Sequence, residues 1–174
     1  EYIGFENYLR LAKDEQFLHV LANTAVYALA VVLIAQSIAF ALAIALNRQR
    51  RGAALFRFLV FTPHVTLGVA ASIAWLLLLD PHAGPAAPLY SAMGVEGPQW
   101  LNGRWLSLTA LALVGVWKEI GFATLFFLAG LQALPPEPYE AARLDGLPRW
   151  REAFTLTVPL MTPVIFFLGV SGVV

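Results

Sequence analysis

The sequence predicts an all-α, polytopic membrane bundle, and three observations carry that prediction. Of its 174 residues, 59% are hydrophobic and only 13% charged, against about 25% charged in ordinary soluble domains. The apolar residues are gathered into four long runs, and mean hydropathy is +0.71. None of the runs alternates as the roughly ten-residue strands of a membrane barrel do. Helices, which satisfy their own backbone in lipid, remain.

Taken in order, the segment Phe5 to Leu21 sets Phe5, Leu9, Phe17 and Leu21 among acids and bases. That pattern suits a helix lying on the membrane surface or one packed against the bundle. Asn23-Thr24 is expected to cap the first span, because both side chains can accept from free N–H groups. The first span is 24–46 (TAVYALAVVLIAQSIAFALAIAL), where Ala35, Ala39 and Ala43 form a small-residue face for close helix packing. Gln36 and Ser37 in the same run either bond across helices or line a path. The second span is 58–79, with His64 beside Pro63 read as a packed histidine. The third is 105–131, and the fourth runs from 158 to 174. A crossing needs about 20 residues, so three spans qualify outright. The fourth is expected to be truncated, in a chain that is a piece of a longer protein.

Basic residues in short loops set sidedness, and acids count little. Loop 47–57 carries Arg48, Arg50, Arg51 and Arg57, and loop 132–157 carries Arg143, Arg149 and Arg151. Both are expected to be cytoplasmic, which puts 1–23 and 80–104 outside. Trp100 and Trp105, near the end of the outer loop, suit the water interface. With no cysteine, thiolate chemistry is excluded, and His19, His64 and His82 have no metal-ligand spacing. A net charge of zero speaks against a nucleic-acid partner.

Ionisable groups inside a span cost roughly a few kcal/mol each. Lys118 and Glu119 therefore border a wet cavity where Gly121 loosens the helix, or belong to a long tilted helix whose charges reach neighbours.

The polar stretch 135–159 is punctuated differently. Pro135, Pro136 and Pro138 stop the third span and favour a new helix start. Glu137 and Glu140 suit its first turn, and Gly146 suits a left-handed C-terminal cap after Asp145. Pro148 can open a second short helix, and Pro159 the next apolar run. Two helices this short are marginal alone, so the bundle or a partner holds them.

In this stretch Glu140-Ala141-Ala142, Gly146, Leu156, Val158 and Pro159 stand at the spacing EAA-x3-G-x9-I-x-L-P, with Leu for Ile and Val for Leu. This resembles the signature of permease subunits of binding-protein-dependent ABC importers, the MetI-like superfamily. Gly4-Phe5-Glu6-Asn7-Tyr8, Asn23-Thr24, Phe56-Arg57 with Phe61-Thr62-Pro63, and Phe127-Leu128-Ala129-Gly130-Leu131-Gln132 resemble the carbohydrate branch, of the maltose and glycerol-phosphate type. The resemblance covers essentially the whole chain, and implies further spans on both sides of it in the bacterial inner membrane.

The resemblance implies a transport subunit, not an enzyme. Tyr139, Glu140, Ala141, Ala142, Arg143, Asp145, Gly146 and Pro159 would couple to a cytoplasmic ATPase dimer. ATP and its magnesium would be bound by that ATPase, as this chain has no phosphate loop. A second, related permease chain and an extracytoplasmic solute-binding protein would complete the importer. Its cargo would be a sugar, oligosaccharide or polyol phosphate. Gln36, Trp75, Trp117, Lys118, Glu119 and Phe122 are the candidates for the path, since aromatic faces suit sugar C–H surfaces. The alternative is a secondary transporter or channel using Lys118 and Glu119 for ion coupling.

Overall fold

The computed structural model describes residues 4–48 and 52–173. Arg50 and Arg51 lie outside the described residues, as do the side chains of Arg48, Arg143 and Arg149. Among the described residues every regular element is helical.

The amphipathic start is helix α1 (Glu6–Lys13), with no buried residue and a Glu6–Arg10 ion pair at 2.7 Å. It ends at Asp14, whose carboxylate accepts the N–H groups of Gln16 and Phe17 at 2.8 and 3.2 Å. Those bonds make Asp14 the cap of α2 (Glu15–Arg48). The cap expected at Asn23-Thr24 is therefore displaced, and both residues lie inside the helix. Asn23 instead accepts a bond from Arg104 Nε at 3.0 Å, while the Thr24 hydroxyl donates back to Val20 O. Arg104 opens α6 (Arg104–Ala133), so this bond ties together one end of the two longest helices.

At about 1.5 Å per residue, α2 and α6 are both longer than the hydrocarbon core of about 30 Å. They form the largest helix pair of the fold. The reason is the small-residue face: Ala35, Ala39 and Ala43 are 2%, 0% and 0% exposed. With no bulk on that stripe, α2 approaches α6 closely and Phe40 meets Phe127 edge to face at 5.2 Å. Ala123, Phe127, Leu128, Met161 and Leu168 complete the main core.

The run expected as a single span at 58–79 is two helices, α3 (Ala53–Val65) and α4 (Gly68–Leu78), bent by 96°. Pro63 lies in the last turn of α3 and has no N–H to give, and Thr66, which follows, turns extended at ψ 131°. Gly68 then starts α4. After α4, Asp80 holds a turn by accepting the N–H groups of Ala83 and His82, and these bonds keep its carboxyl below the usual 3.8. The short helix α5 (Ala87–Ala92) lies in the connection to α6.

Helix α6 is unbroken through Gly121, so this glycine does not loosen it. Gly121 is the crossing point of α3 and α6. A Cβ there would run into the Val60 carbonyl oxygen and lie 3.1 Å from Phe61 Cα.

Beyond α6 come α7 (Glu137–Leu144), α8 (Arg149–Glu152), a π turn (Ala153–Thr157), α9 (Val158–Leu160) and α10 (Thr162–Ser171). The last apolar run is thus also bent, by 64° at Met161, and Pro159 lies before the bend instead of opening the run. Among the described residues two helices are long and apolar enough to cross a membrane, and up to four spans result if each bent pair counts as one.

Candidate functional site

Two groups of predicted residues occupy different levels of the bundle. The first is the helix pair beyond α6. Pro136 O accepts the N–H groups of Tyr139 and Glu140 at 3.0 Å each, which starts α7 directly after the proline pair. At its other end Gly146 adopts φ +70°, and Leu147 N–H reaches back to Ala142 O at 2.9 Å. This is the Schellman closure, which needs a residue tolerant of the left-handed region.

The faces of α7 divide cleanly. Tyr139 is half-buried and Ala142 buried, so they hold the helix to the protein. Glu140, Ala141, Asp145 and Gly146 are exposed, and Leu144 is 90% exposed. Trp150 and Phe154 are also exposed. Leu144, Glu140 and Asp145 are thus bare on or at the end of α7, and Trp150 and Phe154 are bare on α8 and the π turn that follow. Pro159 is exposed on α9. The Arg143 side chain is outside the described residues.

Between this pair and the ends of α2 and α6 lies a cleft of about 1080 Å³. Ile44, Asn47, Leu131 and Leu134 form one wall, and Tyr139, Glu140, Gly146, Leu147, Glu152 and Thr157 are on the other. Across this second wall the Tyr139 hydroxyl bonds Thr157 Oγ1 at 3.2 Å. Thr157 had no signal in the sequence beyond its place between Leu156 and Val158.

The second group lies within the helices. Gln36, Glu119 and Phe122 line one cavity of about 20 Å³ between α2, α6 and α10, closed by Leu168, Ser171 and Gly172. That is room for about one water molecule. Gln36 Nε2 is buried there without a hydrogen-bond partner. Trp75 and Trp117 pair separately, edge to face at 5.7 Å, and join α4 to α6. Lys118 is half-buried and belongs to neither contact.

His64, read as a packing residue from sequence, stacks on Phe122 at 4.9 Å and 22°, and its Nδ1 is buried without a partner. Phe122 also meets Phe126 at 4.5 Å, tilted by 45°, and Phe126 stacks on Phe167 at 5.4 Å. A histidine next to Pro63 in an apolar run was the signal available, and the bend just after it gives that signal its meaning. Among the described residues no group of three or more His, Asp or Glu side chains could hold a metal ion.

The profile of the family described as "Binding-protein-dependent transport system inner membrane component" matches residues 37–173. The chain is 32% identical over 173 residues to the "sn-glycerol-3-phosphate transport system permease protein UgpA" of Rhizobium meliloti (strain 1021), covering 99% of this chain and 59% of that protein. It is 34% identical over 175 residues to the protein of the same description in Yersinia pestis, covering 100% and 59%. Identity is 28% over 187 residues to the "Diacetylchitobiose uptake system permease protein NgcF" of Streptomyces coelicolor, covering 98% and 53%.

Among solved structures, a bacterial ABC transporter involved in the import of the acidic polysaccharide alginate superposes with TM-score 0.83 at 26% identity, over 98% of this chain and 60% of that one. The alginate transporter in complex with an alginate pentasaccharide-bound periplasmic protein gives 0.80 at 26% identity, over 94% and 58%. The chain spans about three-fifths of the length of the glycerol-phosphate relatives.

Proposed function

The chain belongs to the family of inner membrane components of binding-protein-dependent transport systems, and from that premise we propose that it is part of a permease subunit of an ATP-driven importer for a sugar, oligosaccharide or polyol phosphate. The observation that carries the reading is α7. The motif residues Glu140, Ala141 and Gly146 are exposed on a helix that the half-buried Tyr139 and the buried Ala142 hold to the protein, and Glu140 and Gly146 also border the cleft toward α2 and α6. A lever that biases two states needs contacts that differ between them and a body stiff enough to pass on the difference. The paired prolines and the Schellman closure supply the stiffness. The bare Leu144 and Glu140 suit a cleft on a cytoplasmic ATPase, where an acid would meet a basic or hydrogen-bonding group.

In this reading 47–57 and 132–157 are cytoplasmic, 1–23 and 80–104 are outside, and ATP and magnesium are handled by the ATPase dimer. A second permease chain completes the path, and a solute-binding protein delivers the cargo. Gln36, Glu119 and Phe122, meeting within the helices, support a polar point on that path, and Trp75 with Trp117 an aromatic wall beside it. Lys118 would reach the path only from its border. The names of the glycerol-phosphate and diacetylchitobiose relatives support the carbohydrate class. The ion-coupled alternative is disfavoured by the family itself.

The test uses the complete transporter. Glu140→Lys or Gly146→Asp abolishes uptake or uncouples ATP hydrolysis while membrane insertion is retained. An added Cβ at Gly146 meets nothing within 4 Å, so the second variant acts through backbone strain of about 1–2 kcal/mol and an added charge. Wild-type uptake in both variants would refute the coupling role.

A further inference from the structure

We propose that Thr157 is a positioning residue of the coupling element, held by Tyr139 and turned toward it by the π turn, so that α7 is fastened to the root of α10. The inference rests on the coupling role proposed for α7.

Thr157 is 8% exposed, one of two buried polar side chains among the described residues, although it lies on the wall of a wide cleft. Its hydroxyl accepts from Tyr139 at 3.2 Å and donates to Glu152 O at 3.5 Å, five residues back. Among the described residues only two side-chain hydrogen bonds join segments more than ten residues apart. One is Arg104 to Asn23, and the other is Tyr139 to Thr157. Among the described side chains, the second is the one hydrogen bond between α7 and the helix that leads into α10.

Local chemistry explains why Thr157 faces Tyr139. Pro159 has no N–H, and in an α-helix its ring would meet the carbonyl four residues back, at Thr155. The chain widens instead, and Val158 N–H bonds Ala153 O five residues back. A π turn holds one extra residue, so everything after it is rotated by about 100° relative to an uninterrupted α-helix. In that register Thr157 points at α7, while Thr155 stays exposed and bonds its own helix at Arg151 O. A displacement of α7 then acts on Thr157, a few residues before the bend at Met161.

The complete transporter in proteoliposomes provides the test, read as substrate moved per ATP hydrolysed. Thr157→Val keeps the shape and removes the hydroxyl, and lowers that ratio about fivefold, the factor corresponding to one hydrogen bond of about 1 kcal/mol. Thr157→Ser keeps the wild-type ratio. Tyr139→Phe lowers it as Thr157→Val does, and the double variant is no worse than either single one, as expected of two partners in one contact. A purely structural role for Thr157 would reduce the yield of assembled complex and leave the ratio unchanged. That result, or additive losses in the double variant, overturns the proposal. Glu140→Lys measured in parallel separates the two levels. If it uncouples while Thr157→Val does not, the clasp fails alone; if neither uncouples, the coupling role of α7 fails with it.

Discussion

Substituting Gly121 by alanine tests the packing that holds α3 to the bundle. The added methyl would lie inside contact distance of the Val60 carbonyl oxygen, 3.3 Å from Val60 C and 3.1 Å from Phe61 Cα. All three obstacles are backbone, so no rotamer change can make room and α3 must withdraw as a body. A gap of about 0.5–1 Å forfeits a quarter to a half of each dispersion contact along the crossing. Overpacking of this kind costs about 1–3 kcal/mol, set against a gain of about 1 kcal/mol from replacing glycine by alanine in a helix. A net loss of up to about 2 kcal/mol is expected, toward the upper end because the obstacles are backbone. Gly130→Ala is the matched control on the same helix. Its Cβ would meet the side chains of Met161 and Val164, with the flexible thioether nearest, so the propensity gain prevails and stability is unchanged or higher. The assay is thermal unfolding of the complete protein in a fixed detergent or nanodisc. Gly121→Ala lowers the midpoint and Gly130→Ala does not. If Gly121→Ala inserts normally and unfolds no earlier than wild type, or if Gly130→Ala falls as far, the steric reasoning is wrong.

Two further outcomes concern the helix ends. Asp14→Ala removes the cap of α2 and costs about 1 kcal/mol. Amide exchange over residues 15–18 rises about fivefold, and an equal rise on Asn23→Ala would return the cap to Asn23. Asp80 is held below 3.8 by the Ala83 and His82 amides, so its contribution is full above its unfolded value and is lost as pH falls through the lower folded one. Exchange protection of those two amides therefore fails only at pH below 3.8 in wild type and loses its acid dependence in Asp80→Asn. An unaltered acid dependence in the variant would show that another group is responsible.

Much of this fold was legible because the controlling terms are local or cumulative. Long apolar runs report transfer into lipid, and a four-residue spacing of alanines reports how near another helix can come. The ends of α7 follow from prolines before it and a glycine after it. Ala35, Ala39 and Ala43 became the α2–α6 seam, and Gly146 took the left-handed cap, because each depends on its own neighbours in sequence. Hydropathy has nothing to say about where a backbone hydrogen bond is missing. The run 58–79 is uniformly apolar, yet Pro63 and Gly68 bracket a 96° bend within it. Both residues were visible, but their combined effect depends on α6 supporting the broken end.

Gly121 shows the same limit from the other side. In isolation a mid-helix glycine reads as a weak point, and only the Val60 carbonyl opposite shows it to be a close crossing. The candidate residues divide along this line. Glu140 and Gly146 were readable because a motif is a statement about spacing along one chain. Thr157, His64 and the meeting of Gln36 with Glu119 join positions that are far apart in sequence, and each needs a bend, a π turn or a third helix to bring the partners together. Two of these three sites, the Thr157 π turn and His64, stand where a proline has disturbed the backbone. In a membrane bundle a freed backbone group must find a new partner, so the helix is reshaped locally and its side chains are turned to new neighbours. A proline in an apolar run is therefore better read by what it turns toward the next helix than by the helix it ends.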